Sequence, residues 1–218
     1  MEIWFVITSY LSVYSGLLPL IFFIPYIFKF KTLSPVLKVL FFYCLYSILN
    51  EGWSELTNHK PNFYVANIYT YVECISIAVI YYKISDNKAN FLWLCIFIAV
   101  FTIFFMLSCF FWGNINGVQN ILMTFEAIFI IVLSIIFFFR LINNSQVTEL
   151  TDYYFFWMNT AFLVYFSGSL AVFLFLKYIQ RTNPTDIMKG LWMVHLFFNI
   201  VYNILLSKSI YTWKKNRI

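Results

Sequence analysis

Seven runs of roughly twenty mainly apolar residues, divided by short polar stretches, constrain this chain more than any other feature. A helix needs about 20 such residues to cross a hydrocarbon core about 30 Å thick. The runs fall at approximately 4–28, 35–56, 64–84, 91–112, 120–142, 153–178 and 187–213. Between them stand turn-forming and charged residues, as in Thr57-Asn58-His59-Lys60-Pro61 and Gly113-Asn114-Ile115-Asn116-Gly117. Barrel strands would alternate polar and apolar residues over about ten positions. These runs are longer and do not alternate. The expected fold is an all-α membrane protein, a seven transmembrane helix bundle, with residues 1–218 forming a single polytopic membrane domain.

Composition decides what such runs can belong to. Hydrophobic residues make up 62% of the chain, charged residues only 11%, and mean hydropathy is +0.82. Soluble domains carry about 45–50% apolar and 25% charged residues, and one of this size has too little interior to hide the excess. A soluble enzyme, a nucleic-acid-binding domain and a disordered tail are excluded together. The first run lacks a basic leader, exceeds a signal-peptide core in length and shows no small-residue cleavage pattern, so it reads as a retained helix. Pro19 and Pro25 inside it remove backbone donors and predict a bend.

Basic residues set the expected orientation. One side collects Lys29, Lys31, Lys38, Lys83, Lys88, Arg140, Lys208, Lys214, Lys215 and Arg217; the other collects Lys60, Lys177, Arg181 and Lys189. This asymmetry predicts an outside N-terminus and a cytoplasmic C-terminus. The net charge of +5 is thus read as a topology signal, with no nucleic acid among the expected partners. Tryptophans mark interfaces: Trp4, Trp53, Trp112 and Trp192 fall near expected outer ends, Trp93, Trp157 and Trp213 near inner ends. Cys44, Cys74, Cys95 and Cys109 all lie within runs, which fits small apolar filler better than a disulfide framework. No spacing predicts zinc, and no cofactor is expected.

Ionisable and amide side chains inside the bilayer are costly and therefore informative. In the second run Tyr43, Ser47, Glu51 and Glu55 recur every four residues, winding slowly round one helix face. The plainer reading of Glu55 is a helix end emerging into water. In the third run Tyr69, Thr70, Glu73 and Ser76 lie close around the helix, with Asn67 nearer the outer mouth. Glu73 falls about 15 Å below the outer end. At that depth a lone carboxylate needs a proton or a partner. Glu126 in the fifth run follows Asn120 and Thr124 and is otherwise surrounded by Phe, Ile and Leu. In the seventh run His195, Asn199, Asn203 and Ser207 step by four below Trp192. The plainer reading of His195 is a helix–helix hydrogen bond. Glu51, Glu55, Asn67, Tyr69, Glu73, Glu126, His195, Asn199 and Asn203 together predict a polar pocket open toward the outside, provided the four faces converge.

Known membrane chemistries fit poorly. A three-histidine zinc centre, as in seven-helix lipid amidases and related receptors, cannot form from His59 and His195 alone. A retinal-binding rhodopsin needs a lysine midway along its last helix, where this chain has His195 and Asn199. The DRY and NPxxY signatures are absent. Ser167 and His195 lie at similar expected depth, and Ser–His is a nucleophile–base pair. Yet Tyr165 replaces the first glycine of the rhomboid GxSG pattern, and Ser167-Gly168-Ser169 reads more simply as a small-residue packing patch. No enzymatic activity is expected, with an intramembrane Ser–His hydrolase the minor alternative.

Asn67-Ile68-Tyr69-Thr70-Tyr71-Val72-Glu73, then Trp157-Met158-Asn159 with Tyr165-Phe166-Ser167-Gly168, then Leu191-Trp192 with His195, Asn199 and Asn203 form a set. This set resembles uncharacterised small seven-helix bacterial integral membrane proteins that look like sensors or accessory subunits. The resemblance covers the third, sixth and seventh runs and transfers no catalytic residue. The expected function is that of a receptor, sensor or accessory subunit in the bacterial plasma (inner) membrane, with the lipid bilayer and a membrane or cytoplasmic protein as partners. Signal output is expected through those partners, because the segments outside the runs are short. The alternative is a small transporter or a proton- or cation-coupled carrier.

Overall fold

The computed structural model describes residues 2–28, 30–56, 63–85, 89–111, 118–143, 149–182 and 185–215. Each apolar run forms a helix, and no strand occurs among the described residues. The helices are α1 (Glu2–Phe23), α2 (Pro35–Leu56), α3 (Phe63–Ile84), α4 (Ala89–Phe111), α5 (Val118–Ile142), α6 (Tyr154–Thr182) and α7 (Thr185–Lys215). Their ends lie within a few residues of the runs, because Pro, Gly, Asn and charged residues interrupt the apolar sequence there. The expected bend in the first run takes a specific form. α1 continues through Pro19, and a short 3-10 turn at Ile24–Tyr26, with Pro25 at its start, takes over where α1 ends. Proline is tolerated in a first helical turn, where its missing N–H would have had no partner.

Five helices are long and apolar enough to cross a membrane, over Val6–Tyr26, Val65–Ile84, Ile121–Ile142, Tyr154–Phe175 and Lys189–Lys214. α4 contributes the shorter apolar stretch Leu92–Leu107. α2 carries Asn50, Glu51, Ser54 and Glu55 in its last two turns, which dilutes its apolar character. Large apolar side chains face outward along several helices, among them Leu49, Trp93, Phe139 and Ile142. Soluble monomers rarely expose such contiguous surface, whereas hydrocarbon chains solvate it. The chain thus has the helices and the surface of a membrane protein.

The helices form two compact units, one built from 1–28 and 127–218, the other from 29–126. In the first unit α7 packs against both α6 and α1. Gly168 makes the α6–α7 approach close, since a methyl group there would overlap the Phe198 ring. Phe162, Phe166 and Leu206 are fully buried nearby. Trp213, expected at an interface, is buried instead, with its ring edge-on to Tyr26 at 5.1 Å. Trp157 does behave as an end anchor: its Nε1 donates to the Thr151 carbonyl at 2.8 Å, and Lys208 lies over its ring.

In the second unit α3 packs against α2 and α4. Its interior is organised by aromatic stacking. Tyr71 stacks on Phe101 at 6.0 Å between centroids, and Phe101 stacks in turn on Phe125 at 6.3 Å. Such offset pairs add to plain area burial. Tyr71 also shares a hydrogen bond with Thr102 at 2.8 Å, so a polar contact holds α3 to α4.

Candidate functional site

The nine residues singled out in the sequence divide between the two units: Glu51, Glu55, Asn67, Tyr69, Glu73 and Glu126 belong to 29–126, and His195, Asn199 and Asn203 to the other.

Within 29–126 the centre is Glu73. Each turn of α3 brings a residue back to the same side after three or four positions, and Asn67, Thr70, Glu73, Cys74 and Ile77 are all buried. Glu73 is 4% exposed, and its Oε1 accepts a short hydrogen bond from the Tyr43 hydroxyl of α2 at 2.6 Å. A longer one comes from Tyr69 at 3.4 Å. Tyr69 meets the Ser47 hydroxyl at 3.2 Å, and its ring stacks nearly parallel on Tyr46. The step of four from Tyr43 to Ser47 therefore serves to reach α3 at two successive turns. Hydrogen bonds to a charged group are shorter and stronger than neutral ones, and the Tyr43 contact has that length.

Glu126 is 2% exposed and belongs to the same unit. The Tyr71–Phe101–Phe125 stack links α3, α4 and α5 two residues before Glu73 and one residue before Glu126. Glu126 is close enough to Glu73 for their charges to interact, and buried Cys74 lies within electrostatic range of both. The Glu126 Oε1 is buried without a hydrogen-bond partner among the described residues. So is the carbonyl oxygen of buried Asn67. Among the described residues neither carboxylate is paired with a basic side chain, and no group of three or more His, Cys, Asp or Glu gathers as a metal centre. Glu51 is half-buried in the penultimate turn of α2. The side chains of Glu55 and Asn120, together with His59 and Trp112, lie outside the described residues.

In the other unit the residues singled out meet hydroxyl, amide and backbone groups. His195 Nδ1 meets the Ser169 hydroxyl at 3.0 Å, and the imidazole sits among the rings of Trp192, Tyr165 and Phe173 at 5.0 to 5.6 Å. Ser167, the serine singled out beside Gly168, is exposed and donates to the Leu163 carbonyl of its own helix at 2.6 Å. Ser169 is fully buried, so its hydroxyl is shaped for packing. Asn199 donates to the Ser12 hydroxyl at 2.7 Å, and Asn203 to Ser15 at 3.0 Å, which ties α7 to α1. Ser207 donates back to the Asn203 carbonyl, and Asn159 of α6 donates to the Ser134 carbonyl of α5 at 3.1 Å. Ser12 and Ser15 were not singled out in the sequence, and Ser169 stood there only as part of a packing patch, without its hydrogen bond to His195. The signal for Ser12 and Ser15 was their spacing of three, which places both hydroxyls on one face of α1.

No family model, curated protein or solved structure matches this chain.

Proposed function

We propose that this chain is a multi-pass bacterial plasma-membrane protein of receptor, sensor or accessory-subunit type, with its N-terminus outside. In this reading the polar centre around Glu73 takes a ligand from the outer side and its state is relayed through a partner protein. The carrying observation is Glu73 itself, a carboxylate about 15 Å along α3, held by tyrosine hydroxyls where a hydrophobic side chain would cost nothing. Retaining a costly group in membrane-spanning sequence favours a binding role over a purely structural one.

Outside access is the direct test. Ser47→Cys is placed in a chain whose four native cysteines are alanine, and a membrane-impermeant maleimide is applied to each side separately. Labelling from the outside alone is expected. Protection from both sides, or labelling only from the cytoplasm, overturns the reading. A second reading, a cation-coupled carrier, draws support from two neighbouring carboxylates without a basic partner among the described residues. Reconstituted vesicles that accumulate a solute against its gradient would select the carrier.

A further inference from the structure

We propose that Lys208, Tyr211 and Trp157 form a site for the headgroup of an anionic phospholipid, in the leaflet at the C-terminal end of α7. The site belongs to the unit of 1–28 and 127–218 and makes no use of Glu73, so it stands or falls apart from the ligand reading above.

The argument begins with a charge inside apolar sequence. The apolar span of α7 covers Lys189–Lys214, and Lys208 stands about 9 Å along the helix from its end. Between 201 and 213 of α7 only Ile204, Lys208 and Tyr211 are exposed, and their spacing of four and then three puts them on one stripe. On a membrane-spanning helix an exposed stripe meets lipid. Among the described residues no carboxylate pairs with Lys208. A lone ammonium against hydrocarbon is costly, and a long basic side chain relieves that cost by reaching the headgroup layer. The counter-charge for Lys208 then comes from the bilayer.

The surroundings of the ammonium define what fits it. Its Nζ lies 5.5 Å from the Trp157 ring centroid and 5.7 Å from that of Tyr211, so aromatic faces from α6 and α7 hold it. Trp157 belongs to the first turn of α6, which puts the ammonium at an end of that helix, where tryptophan and tyrosine mark headgroup depth. The indole N–H is engaged by the Thr151 carbonyl, so Trp157 offers the lysine its face alone. Tyr211 is steadied by Phe22 of α1, edge-on at 6.3 Å, and is 48% exposed. Its hydroxyl has no hydrogen-bond partner among the described residues. An ammonium and a phenol are therefore both free to donate to a phosphate oxygen, and charge-assisted bonds of this kind are strong. Ile204, one turn further along the stripe, is 51% exposed and gives an acyl chain apolar surface to lie on.

Charge then selects the lipid class. A zwitterionic headgroup carries its own cation beside the phosphate, whereas an anionic one leaves that negative charge to Lys208. A free phosphate ion would meet the same donors but would leave Ile204 uncovered.

The experiment uses the full chain purified in detergent, with single lipid-binding events resolved by native mass spectrometry. Phosphatidylglycerol and phosphatidylcholine with matched acyl chains are titrated separately, and inorganic phosphate is added as a competitor. The first lipid bound should favour phosphatidylglycerol by about fivefold. Lys208→Gln should erase that preference, and Lys208→Arg should keep it. Tyr211→Phe should weaken phosphatidylglycerol alone by about threefold. Lys83→Gln, an exposed basic residue of the other unit, should change neither lipid. Equal affinities for the two lipids overturn the proposal, as does a preference that survives Lys208→Gln. Displacement of the lipid by inorganic phosphate assigns the donors to a free anion and also overturns it. If Lys208→Gln does not fold, the wild-type lipid pair and Tyr211→Phe decide, because an unchanged phosphatidylglycerol affinity in that variant removes the phenol from the site and overturns it as described.

Discussion

The two units bury polar side chains in opposite ways. In the unit of 1–28 and 127–218, serine, asparagine and histidine pair across α1, α5, α6 and α7 through hydroxyl, amide, imidazole and backbone groups. In the unit of 29–126, the polar interior is built on two carboxylates, one served by tyrosines and the other with an orphan oxygen. Neutral interhelical hydrogen bonds average well under about 1 kcal/mol each in membranes, and they hold helices in register without leaving charge behind. A buried carboxylate costs more than it returns unless something neutralises it. The comparison teaches that one unit closes its singled-out polar residues on one another, whereas the other, beside assembly contacts such as Tyr71 with Thr102, leaves a buried Glu126 oxygen without a hydrogen-bond partner among the described residues.

The largest expected effect would break the assembled unit. Gly168→Leu pushes a branched side chain into the Phe198 ring and should cost about 3 kcal/mol, at the upper end for overpacking. A sharp loss of folded protein on size exclusion would show it, and an unchanged thermal midpoint would mean that α6 and α7 are not held as described. Next comes Tyr43→Phe, which removes the short hydrogen bond to Glu73 and should cost about 2 kcal/mol. Tyr69→Phe, with the longer contact, should cost less than half as much. Equal losses in the two variants would contradict the ranking by length.

Asn203→Leu tests the neutral side. It removes the contacts to Ser15 and to the Asn199 carbonyl, worth about 1 kcal/mol together, so thermal unfolding should move down even though Ser15 still donates to the Ser12 carbonyl. Glu126→Gln should not lower stability and should raise it by up to about 1 kcal/mol, because the amide keeps the carbonyl oxygen and cannot carry a buried charge. Parallel losses in these two variants would erase the distinction between the units. The smallest effect belongs to Ser167→Ala, within about 0.5 kcal/mol, since the hydroxyl is exposed and bonds only to its own helix.

Helix positions were legible in the sequence because a bilayer leaves the backbone one economical solution over each apolar run. The bend expected from proline was legible only in part: Pro25 opens the turn that takes over where α1 ends, whereas α1 continues through Pro19. Glu73, Asn67, Glu126, His195, Asn199 and Asn203 also stood out, because a polar residue in an apolar run is conspicuous. Partnership was not legible. The pairing of Asn199 with Ser12 joins residues 187 positions apart, and that of Tyr43 with Glu73 depends on how α2 is rotated against α3. Ser169 displaced Ser167 as the histidine's partner for the same reason: neighbours two apart on a helix point about 200° apart, and packing alone chooses between them. Trp213 shows the limit of compositional rules, since an aromatic near a helix end can pack inward as readily as it can mark an interface.

The unit that joins 1–28 to 127–218 is discontinuous in the chain, and this has a consequence for synthesis. At ribosomal speeds of about 5–20 residues per second, about ten to forty seconds separate the emergence of Ser12 from that of Asn199. Throughout that interval α1 resides in the bilayer without the helix that will bind its serines. Its low charge and continuous apolar surface make this wait tolerable, and the lateness of α7 makes it the closing piece. Truncation before α7 should therefore leave α1 inserted but unassembled, a quality-control substrate in place of a smaller working protein.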